Sequence, residues 1–380
     1  MARRVRVGVV FGGRSSEHEV SLRSARSVMD AIDKEKYEAV PIGITKEGRW
    51  LVGGDPMRAL AARVDPKLLK PTDSDLPSRA LTVVANEDAA LVPRASVLSE
   101  LDVIFPVLHG PFGEDGTVQG LLELAGLPYV GAGVMGSSLA MDKTVFKDVM
   151  IAHGLPIVPY VQLKRKDWEA APEAVLNEIE TRLGYPVFTK PANLGSSVGI
   201  AKCHDRAGLA VGLDEAARFD RKLLVEQAVS HAREIEVSVL GNDEPIASLP
   251  GEVIPKREFY DYVAKYIDEG DAASELLIPA PLSEELTAHV RELAVETYLA
   301  VDCAGLARVD FLLNGESGEV FVSELNTIPG FTSISMYPKL WEATGISYTE
   351  LISRLIDLAL ERHADRERSQ TTYELDRDEP

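Results

Sequence analysis

An α/β unit on a parallel sheet, followed by α+β units, is the fold class this 380-residue sequence predicts. Three observations carry it. Val5 to Phe11 is a continuous, largely β-branched run that ends in Gly12-Gly13, the pattern of a strand buried on both faces. Apolar residues then recur at helical spacing (Leu22, Ala25, Val28, Met29, Ile32), and Glu38 to Thr45 reads as the next strand, a β-α-β start. From Asp142 the grammar changes to hairpins and isolated helices, and the length alone suits two or three domains.

In chain order, Gly53 to Pro93 is broken by five prolines and reads as irregular connections. Leu101 to Leu108 is an apolar strand that runs into the loop His109–Gly116, and a parallel sheet with helices on its faces fits residues 1–140. A helix over 142–153 and another over 167–183 precede strands at Pro186–Lys190 and Gly199–Cys203, joined by a turn of small residues. Leu223 to Val229 closes that second unit, 141–229. A third, 230–363, carries strands at 234–240, 304–313 and 319–325, a helix over 283–300 and a final amphipathic helix over 347–362. Residues 364–380 have almost no apolar content and read as a disordered tail.

Composition excludes several classes. Hydrophobic residues make up 45 %, enough for a substantial core, whereas 40 basic against 60 acidic side chains leave a net charge of −20. Such a charge disfavours nucleic acid and anionic membrane surfaces as partners. No apolar run approaches the roughly 18 residues of a membrane span, and the run after Met1-Ala2-Arg3-Arg4 is too short for a signal peptide. Cys203 and Cys303 form no disulfide framework and suit a reducing compartment, so the expected location is cytoplasmic.

Three segments carry chemistry. Gly12-Gly13-Arg14-Ser15-Ser16-Glu17-His18-Glu19 lies between a strand and a helix, where backbone N–H groups meet anions. It lacks the spacing of a dinucleotide fingerprint, and its acids serve equally as helix-dipole partners. Thr189-Lys190-Pro191 leading into Gly195-Ser196-Ser197-Val198-Gly199 places a lysine at a strand end before a flexible hydroxyl-rich loop; it reads as a phosphate grip or as a plain hairpin. The third is sharper. Arg308 and Asp310 alternate onto one strand face, as do Glu324 and Asn326 after a short turn. If these strands pair as a hairpin, three oxygen ligands and a guanidinium converge, a set that suits Mg²⁺ shared with substrate phosphates. The other reading is a solvated face with an ion pair.

Taken together, Gly12–Ser21, His109–Gly116, Met141-Asp142-Lys143, Lys190–Gly199, Arg233–Val237, Tyr260–Tyr266, Arg308-Val309-Asp310 and Glu324–Thr332 resemble D-alanine–D-alanine ligases, collinear over nearly the whole chain. The resemblance implies an ATP-grasp fold behind an N-terminal parallel-sheet domain, with ATP and two D-alanines as substrates. It implies two Mg²⁺ (or Mn²⁺) on Asp310, Glu324 and Asn326, peptidoglycan precursor synthesis and a homodimer. It also assigns roles. Lys143, Lys190 and Ser197 would meet ATP phosphates; Glu226, Gln227 and Val229 adenine; Glu234 the ribose; Lys265 the nucleotide under a closed loop. Glu17 would hold the first D-alanine's ammonium and join Ser196 and Tyr266 in a hydrogen-bonded bridge. His109, Ser335 and Met336 would border substrate, and Arg308 with the N–H of Gly330 would stabilise the oxyanion. The polar, Tyr-rich Lys256–Ser274 would be the lid. Leu194 departs from family members that carry an acid there. Sister ligases using D-lactate or D-serine, or another carboxylate–amine ligase, are the alternatives.

Overall fold

The computed structural model describes residues 3–64, 79–81, 100–195, 197–255 and 274–370. Three sheets organise them. The first comprises β1 (Val5–Gly12), β2 (Tyr37–Ile44), β3 (Trp50–Val52), β4 (Arg79–Leu81) and β5 (Val103–Val107), in the order β4-β3-β2-β1-β5. β1 runs parallel to both β2 and β5. The sheet is nonetheless mixed, because β3 and β4 add antiparallel at the β2 edge. The helix His18–Ala31 lays Leu22, Ala25 and Val28 against this sheet.

The second sheet is antiparallel throughout: β6 (Tyr160–Lys164), β7 (Val187–Pro191), β8 (Ala201–Cys203) and β9 (Lys222–Gln227), ordered β6-β9-β7-β8. Ile179 and Leu183 of one helix and Leu209 and Leu213 of another pack with Val187, Leu223 and Val225. The third sheet holds β10 (Ala232–Gly241), β11 (Ile246–Ala247), β12 (Gly251–Ile254), β13 (Glu275–Leu277), β14 (Gly305–Asn314) and β15 (Val320–Asn326). Its core, Ile235, Val237, Val309 and Phe311, takes Val290 and Tyr298 from the helix Glu284–Ala300, and Phe146 and Met150 from the helix Lys143–Ala152.

Four further expectations change. The proline-rich stretch contains the helix Pro56–Val64 as well as β4. Pro56 supplies the fixed φ that a first helical turn needs, and Met57, Leu60 and Ala61 are buried. The helix expected over 167–183 is two, Arg165–Ala170 and Pro172–Leu183, since Pro172 cannot continue the first and instead starts the second. The helix Arg206–Phe219, capped by the Asp205 side chain on the N–H of Gly208, was not expected. The final helix runs Tyr348–Arg366, into the stretch expected to be a disordered tail, and Arg366 reaches Glu123 there.

Candidate active site

Two lysines on neighbouring elements meet one buried acid. Asp142 caps the helix Lys143–Ala152, accepting from the N–H of Thr144 and of Val145 at 3.2 Å each, and is itself held by Lys222 at 2.6 Å. The cap fixes the helix start, so that Lys143 Nζ donates to Leu194 O in the glycine loop (2.9 Å) and lies 3.5 Å from Glu324 Oε2. On β9, Glu226 is buried; one of its oxygens takes Lys190 of β7 and the other Lys147, at 2.7 Å from Nζ. Burial works against the charged form of Glu226, but the two ammonium groups overcome it and hold its pKa down at about 2.

A second cluster spans β10, β14 and β15. The strands are in antiparallel register with Glu236 opposite Asp310 and Asp310 opposite Glu324, while Arg308 faces Asn326. The expected hairpin therefore forms, with a bulge after Asp310. Arg308 grips Asp310 with Nε (2.6 Å) and a terminal nitrogen (2.7 Å), and its Nε lies 3.1 Å from Glu236. Asn326 Nδ2 donates to Asp310 Oδ2 at 2.9 Å. Burial opposes charge on Arg308, yet Asp310 and Glu236 raise its pKa well above the ordinary value. Among the described residues no three carboxylates, imidazoles or thiolates form a ready-made metal cage. The donor set still suits a hard cation: Asp310, Glu324 and Asn326 bring oxygen-bearing side chains together on adjacent strands, and Glu324 is partly exposed.

A third group joins the first sheet to the C-terminal segment. Glu17 is buried at the start of the helix His18–Ala31, where its side chain caps no backbone N–H of that helix. Gly110 has φ +72°, and a Cβ there would stand 2.8 Å from Glu17 Oε2, so glycine leaves the carboxylate its room. His109 uses both ring nitrogens: Nδ1 donates to Ile328 O at 2.9 Å, and Nε2 lies 3.3 Å from Ser24 Oγ. Burial lowers its pKa, and a carbonyl can only accept, so the neutral ring carries hydrogen on Nδ1 and accepts from Ser24. Ser24 Oγ in turn accepts the N–H of Phe331 at 3.4 Å. Glu114 completes the clasp, accepting the N–H of Gly110 (2.5 Å) and of Ile328 (3.2 Å).

The remaining expected residues are placed as follows. Ser197 has φ +57° in the glycine loop, whose Gly195 faces Glu17. Gln227 turns its side chain away, donating to Leu183 O at 3.1 Å, and Val229 is half-buried just past β9. Glu234 sits on β10 opposite Val253 and Leu312. Ser335 Oγ accepts from the N–H of Thr332 (3.1 Å) beside Gly330, while Met336 is buried against Val253 and Leu340. Ser196, Lys265, Tyr266 and all of Lys256–Ser274 but Ser274 lie outside the described residues. Sequence reasoning missed Lys147, Glu114, Ser24 and Glu236. Lys147 had a signal, one helical turn beyond Lys143 among residues that pack inward, and Glu114 and Glu236 stood inside the motifs His109–Gly116 and Arg233–Val237 without a role being read for them.

The family model "D-ala D-ala ligase N-terminus" matches residues 6–132 and "D-ala D-ala ligase C-terminus" residues 149–357. The chain belongs to the D-alanine–D-alanine ligase family. A D-alanine–D-alanine ligase of Natranaerobius thermophilus is 49 % identical over 374 residues, covering 98 % of this chain and 99 % of that one. Another, of Heliobacterium modesticaldum, is 51 % identical over 365 residues, covering 96 % and 97 %. The solved D-alanine–D-alanine ligase of Coxiella burnetii superposes with a TM-score of 0.81 at 37 % identity, covering 97 % of each chain. The VanG D-Ala:D-Ser ligase of Enterococcus faecalis gives 0.78 at 34 %, covering 94 % of this chain and 100 % of that one. The ligase family's fold is ATP-grasp, and this chain has it.

Proposed function

We propose that this chain joins two D-alanines to D-alanyl-D-alanine through a D-alanyl phosphate, at the expense of one ATP, for peptidoglycan precursors in the cytoplasm. One observation carries the reading. Lys143 Nζ stands between Leu194 O of the glycine loop and Glu324 of the acid cluster, which supports reading the glycine loop and the acid cluster as one phosphate-and-cation site.

The chemistry needs positioning and charge neutralisation more than a nucleophilic side chain. The first D-alanine carboxylate attacks the γ-phosphorus, and ADP leaves. Lys143, Lys190 and Ser197 hold the phosphates; the end of β9 at Glu226, Gln227 and Val229 borders adenine, with the Gln227 side chain turned away to Leu183, and Glu234 takes the ribose. Two Mg²⁺ (with Mn²⁺ as a substitute) on Asp310, Glu324 and Asn326 would neutralise charge on the transferred group. Glu17 takes the ammonium of the first D-alanine. The amine of the second D-alanine attacks the acyl carbon, Arg308 and the N–H of Gly330 stabilise the oxyanion, and phosphate departs. Ser196, Lys265 and Tyr266 belong to the closing lid, with His109, Ser335 and Met336 around the substrates. The units are 1–140, 141–229 and 230–363, paired as a homodimer. Among the described residues no helix is long and apolar enough to cross a membrane.

Phosphate release from ATP with single and paired D- and L-amino acids tests this. Release is expected with D-alanine alone, and release with L-alanine but not D-alanine overturns it. In competition at pH 7, D-alanine is expected to exceed D-lactate and D-serine as the second substrate. A product that is mainly D-alanyl-D-lactate or D-alanyl-D-serine would install the sister activity instead.

A further inference from the structure

One buried cation takes no part in the mechanism above. Lys147 lies on the helix Lys143–Ala152 and is 1 % exposed. Its ammonium has two neighbours of note, Glu226 Oε1 at 2.7 Å and the face of the Tyr160 ring, whose centroid is 5.6 Å away. Burying an ammonium is costly unless a buried partner offsets it, so the position is specific. Glu226 is that partner, yet it serves Lys190 too. The trio holds two ammonium groups against one carboxylate, with Glu324 close enough to act on both lysines and Glu234 on Lys190.

The two lysines are not equivalent. Lys147 is walled in, whereas the Lys190 side chain keeps 15 % of its surface, at the strand end that leads into the glycine loop. Lys190 is therefore the cation able to leave Glu226 for an incoming phosphate. When it does, Glu226 stays buried as a carboxylate beside a polyanion unless a second cation remains. Burial also lowers the pKa of Lys147, and Glu226 acts against that fall.

We propose that Lys147 is a nucleotide-positioning residue that keeps Glu226 in place and neutralised while Lys190 moves from Glu226 to the phosphates of ATP. The proposal rests on the reading of this cleft as the ATP site and adds how that site holds its two charge states. Lys147 touches no nucleotide atom in it; it acts through Glu226.

A double-mutant cycle on ATP binding, measured by calorimetry on the full chain, tests the coupling. Lys147→Met is expected to weaken ATP by about tenfold or more, because Glu226 then retains Lys190. In a Glu226→Gln background the same change is expected to cost less than about twofold, since the charge it serves is gone. Lys147→Arg keeps the charge and is expected to restore ATP affinity to within about threefold of the parent. The loss should appear in KM for ATP, with kcat and KM for D-alanine little changed. Equal losses in both backgrounds would mean that Lys147 meets the nucleotide directly or only packs, and would overturn the proposal. So would unchanged ATP affinity in Lys147→Met. If Lys147→Met fails to fold, the double variant decides, since it has no unpaired buried carboxylate: folding with the ATP affinity of Glu226→Gln supports the coupling, and misfolding overturns it. Failure of the ligase reading is distinguishable, because the parent would then bind ATP without releasing phosphate on D-alanine.

Discussion

At the scale of single residues, Arg308 and Glu114 carry the sharpest expectations. Arg308 neutralises Asp310 and Glu236, and the proposed mechanism assigns it, with the N–H of Gly330, to the oxyanion. Arg308→Met is expected to lower turnover by roughly 10²–10³. ATP binding should survive in calorimetry; its disappearance would make the arginine a nucleotide ligand. Glu114 gives a pH signature. Burial, with Glu17 adding to it, raises its pKa from the ordinary 4.5 to about 8. The native carboxyl thus holds its proton through a range where the unfolded chain has released it. That contribution to stability is full below about pH 4.5 and is lost as pH rises through about 8. Glu114→Gln cannot titrate, so its melting temperature should fall less than the parent's between pH 5 and about 8.5. Parallel melting curves would remove Glu114 as the titrating group.

The helix Lys143–Ala152 is the element that concentrates the site, since it aims Lys143 at the glycine loop and Lys147 at Glu226. Its start depends on Asp142, which serves as N-cap and ion-pair partner of Lys222 together. Asp142→Ala is expected to cost about 0.5–2 kcal/mol in stability and to raise KM for ATP, because both lysines shift with a fraying first turn. Asp142→Asn keeps the cap and should recover most of the stability in urea unfolding. If Asn and Ala unfold alike, the ion pair to Lys222 matters and the cap does not. This helix was legible in the sequence, as were β1, β7, β8, β14 and β15, because period and glycine punctuation are local. The alternation of Arg308 with Asp310, and of Glu324 with Asn326, survives into the observed register for the same reason. Glu236 was not legible, because only the pairing of β10 with β14 sets it opposite Asp310. The clasp of Glu114 and His109 on Ile328 joins residues more than two hundred positions apart, which no local pattern encodes. The helix Pro56–Val64 was hidden by counting prolines as breakers where one of them opens a helix.

For the whole molecule, the question is whether the first sheet stands alone. Its core does not close on itself. Val7, Val9, Phe105 and Val107 share one cluster with Leu351, Ile352, Leu355, Ile356 and Ala359 from the helix Tyr348–Arg366. The same helix sends Arg362 to Gly131 O and stacks it over the Tyr129 ring, 4.4 Å from the centroid. Glu17 and His109 follow the C-terminal ends of β1 and β5, the two strands whose apolar face the far end of the chain packs against. A separate fragment 1–140 would expose that apolar face to water, and marginal domain stability leaves no reserve against such a loss. The fragment is expected to show no cooperative thermal transition as a monomer. In the full chain, Leu355→Ala should lower stability by about 2–5 kcal/mol in urea unfolding, since a fully buried leucine leaves a cavity that packed neighbours cannot fill. The variant should also weaken D-alanine binding more than ATP binding, because the clasp over Glu17 depends on this packing while the lysine trio does not touch it. Cooperative melting of the monomeric fragment, or an equal loss of both ligands, would show that the C-terminal helix decorates the first sheet and does not hold it.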